Sequence, residues 1–164
     1  MTDHELFDRL MRRALDEALA ALAHDDVPIG AVVASLATGE VLAARHNERE
    51  LARDPTAHAE ILALRDAAEA LGRWRLDGCA LVVTLEPCPM CAGAALAARV
   101  DAVAFGATDP KAGACGTLYN LAADPRLNHE MRVVDGVRAE ACGALLGEFF
   151  TARRNEGRSG GRGT

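Results

Sequence analysis

The sequence contains no apolar run near the roughly 18 residues that a membrane-spanning helix requires, and residues 1–5 are polar. Neither an export signal nor a membrane anchor is therefore expected. Lysine is almost absent: Lys111 is the only one among 18 basic residues, against 24 acids, and the formal net charge is −6. On its face that balance argues against a nucleic-acid partner, because phosphate binding is driven by Lys and Arg releasing counterions. No internal repeat is found, and nothing in 164 residues calls for a second domain. The five cysteines, an odd number without a secretory signal, argue against a disulfide framework and for reduced thiols in the cytoplasm.

What is present is the balance of an ordinary globular protein, 50% hydrophobic and 26% charged. Charge distribution qualifies the acidic total. After Phe150 come Arg153, Arg154, Arg158 and Arg162 against the single acid Glu156, so this end is locally basic, either as a solvated tail or as a surface for an anionic partner. Residues 1–156 read as one domain and 157–164 as a disordered Arg/Gly tail.

Thr2 and Glu5 can form a capping box at the head of a helix whose apolar residues, from Leu6 through Leu22, recur at helical spacing. Two short runs, 29–35 and 40–45, flank Ala37-Thr38-Gly39 as a hairpin. The spacing predicts a second helix over 56–71, stopped by Gly72, and then a buried strand over 79–85. A helix over 89–99, a strand over 102–106, a loop over 107–116, a strand over 132–135 and a helix over 139–155 complete the order. Strands alternating with helices imply an α/β domain of three layers, α/β/α, around a central mixed sheet of about five strands. Cys79, Cys115 and Cys142 read as small core or loop residues, and His4, His24, His46 and His129 as surface or strand-end residues without ligand spacing.

The chain is organised around Pro87-Cys88-Pro89-Met90-Cys91. Two cysteines three positions apart, beside prolines suited to a helix start, offer a pair of thiolate ligands. Alone, that spacing also fits a redox dithiol, half a structural zinc site, or two small core residues. His58 and Glu60 sharpen it, because one imidazole and two thiolates leave zinc an open position for water, with a carboxylate to spare. Both groups fall where strands end and helices begin, which is where such folds place their sites. Positions 58 and 60 do not share a helix face, so the metal is expected over the helix end. Zn²⁺ with two thiolates and a neutral imidazole is formally neutral and acidifies water less than a three-histidine site would, so a nearby base becomes useful. Glu60 can be that base, moving a proton from water to a ring nitrogen and then to a leaving amine. Its plainer reading is a carboxylate stabilising the first turn of a helix. Water adding to an amidine-like ring carbon with loss of ammonia is hydrolytic deamination.

His58-Ala59-Glu60 together with Pro87-Cys88-Pro89-Met90-Cys91 resembles the signature of zinc-dependent nucleobase deaminases. Residues 27–32, Asn47, and residues 54–60, 84–94 and 105–113 further resemble the bacterial tRNA-specific adenosine deaminases of the cytidine/deoxycytidylate deaminase superfamily. The likeness runs from Leu6 to about Arg154. It implies a cytidine-deaminase-like fold, a homodimer, one Zn²⁺ per subunit, and conversion of the wobble adenosine of a tRNA anticodon stem-loop to inosine. By the same resemblance His58, Cys88 and Cys91 are zinc ligands and Glu60 is the proton shuttle. Asn47 and the Ala59 amide would hydrogen-bond the flipped adenine, with Ile29 and Leu85 as pocket walls. Asp109, Lys111, Arg153 and Arg154 would meet the RNA.

Two alternatives stand beside this reading. The short signature is shared with guanine- and cytidine-type enzymes, so a small-molecule deaminase of the same fold is one. The other is a structural zinc module without catalysis, which would need a fourth protein ligand such as Cys115.

Overall fold

A computed structural model describes residues 1–160. Helix α1 (Asp3–Ala20) begins with the expected capping box: Thr2 Oγ1 accepts from the Glu5 N–H at 3.2 Å, and the Glu5 carboxylate accepts from the Thr2 N–H at 2.8 Å. Its Leu6, Phe7, Leu10, Met11, Ala14 and Ala18 form one buried stripe. Strands β1 (Gly30–Ser35) and β2 (Val41–His46) follow as a hairpin. The short helix α2 (Arg49–Ala52) and helix α3 (Ala59–Leu71) lead back to β3 (Cys79–Leu85). Helix α4 (Pro89–Ala98) leads to β4 (Ala102–Ala107), and α5 (Ala139–Gly160) follows β5 (Arg132–Val134).

The strands form one sheet in the order β2-β1-β3-β4-β5. β1 is antiparallel to both neighbours, while β3, β4 and β5 run parallel, so the sheet is mixed as expected. Ala31 lies opposite Val83, Ser35 opposite Cys79 and Gly30 opposite His46. That register gathers the start of β1 and the ends of β2, β3 and β4 along one rim. The β1–β2 turn, with exposed Ala37 and Thr38, projects from the opposite end.

Side chains alternate between two covered faces. Leu10 and Met11 of α1 and Cys142 of α5 pack on Val32, Ala34, Val82 and Ala104. Ala63 and Leu64 of α3 with Ala92 and Leu96 of α4 cover Ala31, Val33, Leu81 and Val83 on the other face. Burial on both sides explains why β3 is apolar almost throughout rather than alternating. These are the three α/β/α layers. A Cβ on Gly30 would run into the Ala14 carbonyl oxygen, so glycine is what lets α1 lie this close to β1.

Several boundaries differ from the sequence expectation. The second helix begins at Ala59 rather than 56, because Asp54 Oδ1 holds the Thr56 N–H and hydroxyl, each at 2.8 Å, in a side-chain turn. Helix α1 stops at Ala20, and Ala21–His24 tighten into a 3₁₀ turn ended by Asp25 at φ 59°. Helix α2, at four residues, is too short to register as periodicity. Buried Asp26 accepts from the Glu50 and Leu51 N–H groups at its start, at 2.9 and 3.3 Å. Helix α5 runs through Gly160, so residues 157–160, expected in a disordered tail, are helical; extending an existing turn is far easier than starting one. The rest of that expected tail, Arg162 included, lies outside the described residues. His24 is not a surface residue. It is half-buried, its ring stacks on that of His46 with centroids 5.2 Å apart, and its Nδ1 lies 2.6 Å from Asp26. Cys79, Cys115 and Cys142 are buried, as read from the sequence. Among the described residues no helix is long and apolar enough to cross a membrane.

Candidate metal centre and active site

Two helix starts meet at the rim. His58 is the residue capping α3 and Cys88 the residue capping α4, both with extended backbones, while Cys91 lies in the first turn of α4 behind Pro89. The extended conformation at His58 and Cys88 turns both side chains off their helix axes toward each other. His58 Nδ1 is 3.7 Å from Cys88 Sγ and 3.4 Å from Cys91 Sγ, and the three donor atoms lie within 4.8 Å of one another. A tetrahedral ion bonded to sulfur and nitrogen at the usual zinc distances separates those atoms by about 3.6 Å. The donor set therefore fits zinc in both chemistry and span. Among the described residues Cys115 does not join the group, which removes the support for the closed structural site.

The three donors strongly perturb one another. The hydrogen bond from Cys91, aided by His58, holds the Cys88 thiol down to about 4. Cys91 is pushed the other way by that same bond and by burial, so it keeps its proton. The bond to Cys88 raises His58. A divalent cation bound by these groups would displace their protons.

Glu60, one residue into α3, is 4% exposed, and its Oε2 lies 3.3 Å from the Cys91 Sγ. Burial raises its pKa, which favours the protonated form. Asn47, at the exit of β2, is buried behind it. Its Oδ1 accepts from the Ala59 N–H at 2.9 Å, and its Nδ2 donates to the Val27 carbonyl at 3.1 Å.

Beside this centre lies a cavity of 670 Å³ between the loop after β4 and helix α5. Leu85, Asp109, Lys111, Arg153 and Arg154 line it, along with Val27, Pro110, Leu146 and Phe150. His58, Cys88, Cys91 and Glu60 are not in its walls; Leu85, the last residue of β3 and three positions before Cys88, is. Asn47 bonds to the Ala59 N–H next to His58, and the Ile29 carbonyl, just before β1, accepts from the Asn47 N–H at 3.1 Å. Arg153 is also a structural contact: its Nη2 donates to the Asp25 carbonyl at 2.6 Å and its guanidinium lies 4.9 Å from the Phe149 ring centre.

With this geometry in hand, similarity to known proteins becomes specific. Residues 5–154 match the MafB19-like deaminase family. Over 156 residues the chain is 49% identical to the tRNA-specific adenosine deaminase of Bacillus subtilis (strain 168), covering 95% of this chain and 94% of that one. The chain belongs to the tRNA-specific adenosine deaminase family. Membership makes it an enzyme of the deaminase class. A solved structure from studies of A-to-I editing by tRNA:A34 deaminases at the wobble position of transfer RNA aligns with a TM-score of 0.80 at 42% identity. It covers 84% of this chain and 99% of that one. The guanine deaminase of Nitrosomonas europaea also aligns, with a TM-score of 0.73 at 31% identity over 87% of this chain and 83% of its own. Both alignments place this chain in the cytidine-deaminase-like fold of those neighbours.

Sequence reasoning missed one residue of consequence. Glu86 is 1% exposed, directly between β3 and the cysteine motif, and holds four donors from the loop that follows β4. The available signal was a carboxylate continuing an apolar strand, since a charge so placed requires partners. Phe150 in the cavity wall carried no sequence signal beyond being apolar, and Val27 none beyond its place in the 27–32 stretch.

Proposed function

We propose that this chain, as a homodimer in the cytoplasm, converts the wobble adenosine of a tRNA anticodon stem-loop to inosine, consuming water and releasing ammonia. The observation that carries the reading is a juxtaposition: a three-donor metal cluster and a buried carboxylate beside a cavity whose walls bear Lys111, Arg153 and Arg154. In a chain of net charge −6, gathering the single lysine and two arginines around one opening favours a polyanionic substrate there.

In this reading His58, Cys88 and Cys91 hold one Zn²⁺ per subunit. When bound, the ion supplies a Lewis acid with an open fourth position that acidifies water. Glu60 takes one proton from the attacking water and delivers it to a ring nitrogen; it then takes the second proton from the added hydroxyl and gives it to the amine, so that the C–N bond breaks, ammonia leaves and the ring carbonyl forms. Its burial keeps competing solvent away from those transfers. Asn47 retains one amide hydrogen and one carbonyl lone pair beyond its bonds to Val27 and Ala59, enough to read one edge of a base. A base contact through the Ala59 N–H would share that donor with Asn47. Ile29 and Leu85 would wall the base, while Asp109, Lys111, Arg153 and Arg154 would meet flanking nucleotides. A loop suits this arrangement because extruding an unpaired base is easier than opening a duplex.

The homodimer has its own support. On the outer side of α3 and α4, Ile61, Leu64, Ala68, Ala94 and Ala97 line an apolar groove beside Trp74, which is 63% exposed. Light scattering after size exclusion gives the mass directly. The cytoplasmic assignment draws on the five free cysteines.

The activity is tested by incubating the zinc-loaded protein with a tRNA pool and mapping where adenosine has become inosine. Inosine confined to an anticodon wobble position supports the proposal. Much faster turnover of free guanine or cytidine than of RNA would replace it with a small-molecule deaminase, for which the guanine deaminase neighbour is a precedent.

A further inference from the structure

Glu86 is a buried carboxylate that the proposed chemistry does not use. It follows β3 directly, its own N–H donates to the Ala107 carbonyl at 2.8 Å, and two residues later the chain reaches Cys88. Its carboxylate faces the segment from Asp109 to Thr117. Oε1 accepts from the Asp109 N–H at 3.1 Å and from the Thr117 hydroxyl, and Oε2 accepts from the Cys115 and Thr117 N–H groups, each at 3.1 Å. Three backbone N–H groups and one hydroxyl thus converge on the two oxygens of a single side chain. The Ala114 N–H adds a bond to the Pro87 carbonyl at 2.9 Å.

The loop is shaped to accept this anchor. A Cβ on Gly113 would lie 2.5 Å from the Glu86 carboxylate and 2.6 Å from the Asp109 carbonyl oxygen, so glycine is what lets the loop close over the acid. Asp109 in turn uses its Oδ1 to hold the Lys111 and Ala112 N–H groups, at 2.9 and 3.2 Å. A continuous chain of hydrogen bonds thus runs from the residue preceding the cysteine motif to Lys111 at the cavity wall.

We infer that Glu86 is a positioning residue, which holds the Asp109–Lys111 loop in place at the cavity wall so that the loop can bind the RNA strand. This rests on the RNA reading above, but the tether itself does not, and the experiment separates the two. Glu86→Gln keeps the size of the side chain while turning an NH₂ group toward donors. Gly113→Ala disturbs the same junction from the loop side and leaves Glu86 intact.

Backbone hydrogen exchange at Asp109, Cys115 and Thr117 is read first, with zinc content, in the full-length protein. In both variants these amides are expected to exchange about tenfold faster or more, as for buried donors left without an acceptor, with one zinc retained per chain. The KM for an anticodon stem-loop then rises by a similar factor while kcat stays within about threefold, as expected when binding alone is weakened. Unchanged exchange in a folded Glu86→Gln protein overturns the tether. Faster exchange with unchanged KM overturns its role in positioning RNA. Loss of zinc in Glu86→Gln, with Gly113→Ala behaving as wild type, shows Glu86 acting through the metal site instead and also overturns the inference. If wild-type protein makes no inosine in RNA, the functional reading fails while the exchange result still decides the tether.

Discussion

Asn47 Oδ1 sits 2.9 Å from the Ala59 N–H, so the side chain at the exit of β2 caps the helix that carries both His58 and Glu60. His58 makes no side-chain cap of its own, because its ring is turned toward the cysteines. A residue twelve positions earlier does that work, and it leaves the histidine free for a ligand's role.

Asn47→Ala should therefore cost stability as well as activity. It strands the buried Ala59 N–H, a loss of about 1–3 kcal/mol for a group so stranded, while the Val27 carbonyl keeps its bond from the Ile29 N–H at 2.8 Å. In a domain of this size each 1 kcal/mol lowers Tm by about 2–4 °C. Calorimetry on zinc-loaded protein checks this, and an unchanged Tm would confine Asn47 to contact with the base.

Glu60 and Cys88 should separate cleanly when each is replaced. Glu60→Gln is expected to keep its metal and fold while turnover drops at least ~100-fold, the usual loss for a general acid/base. Cys88→Ala should lose the metal and melt at lower temperature, because binding energy at a site formed by two helix ends is also folding energy. Elemental analysis beside a single-turnover assay distinguishes them, and full activity in Glu60→Gln would remove it from the chemistry.

Lys111 and Arg153 line the same cavity but should respond differently to substitution. Either change to Ala should weaken RNA binding and flatten its salt dependence by about 0.7 in the log–log slope for each lost phosphate contact. Only Arg153→Ala should also lower Tm, since Arg153 ties α5 to the Asp25 carbonyl. As the sole lysine, Lys111 offers a second readout: RNA should protect it from an amine-directed reagent, located by peptide mass.

Gly30→Ala should be severe for its size. The added methyl meets the backbone carbonyl of Ala14, which cannot rotate aside, so α1 must move off β1. Overpacking of this kind costs about 1–3 kcal/mol or more. A urea midpoint close to wild type would mean that α1 yields more readily than its packing implies.

The sequence disclosed the elements whose signals are local. The capping box at Thr2 and Glu5, the apolar run of β3, and Pro89 opening a helix each act within a few residues and reappear in the structure. His58, Cys88 and Cys91 were also legible, because metal chemistry restricts residue type and spacing. What stayed hidden depends on distant partners. The start of α3 shifted because Asp54 captures Thr56, the half-buried place of His24 depends on Asp26 and His46, and the junction at Glu86 is made by residues some thirty positions later. None of these leaves a periodic trace.

The hairpin turn at Ala37 and Thr38 points away from the rim that carries His58, Cys88 and Cys91. That makes it a natural handle: a fluorophore or affinity tag attached there would travel with the enzyme and report on its tumbling or immobilise it on a surface, while leaving the opposite rim open to a macromolecule as bulky as a folded RNA.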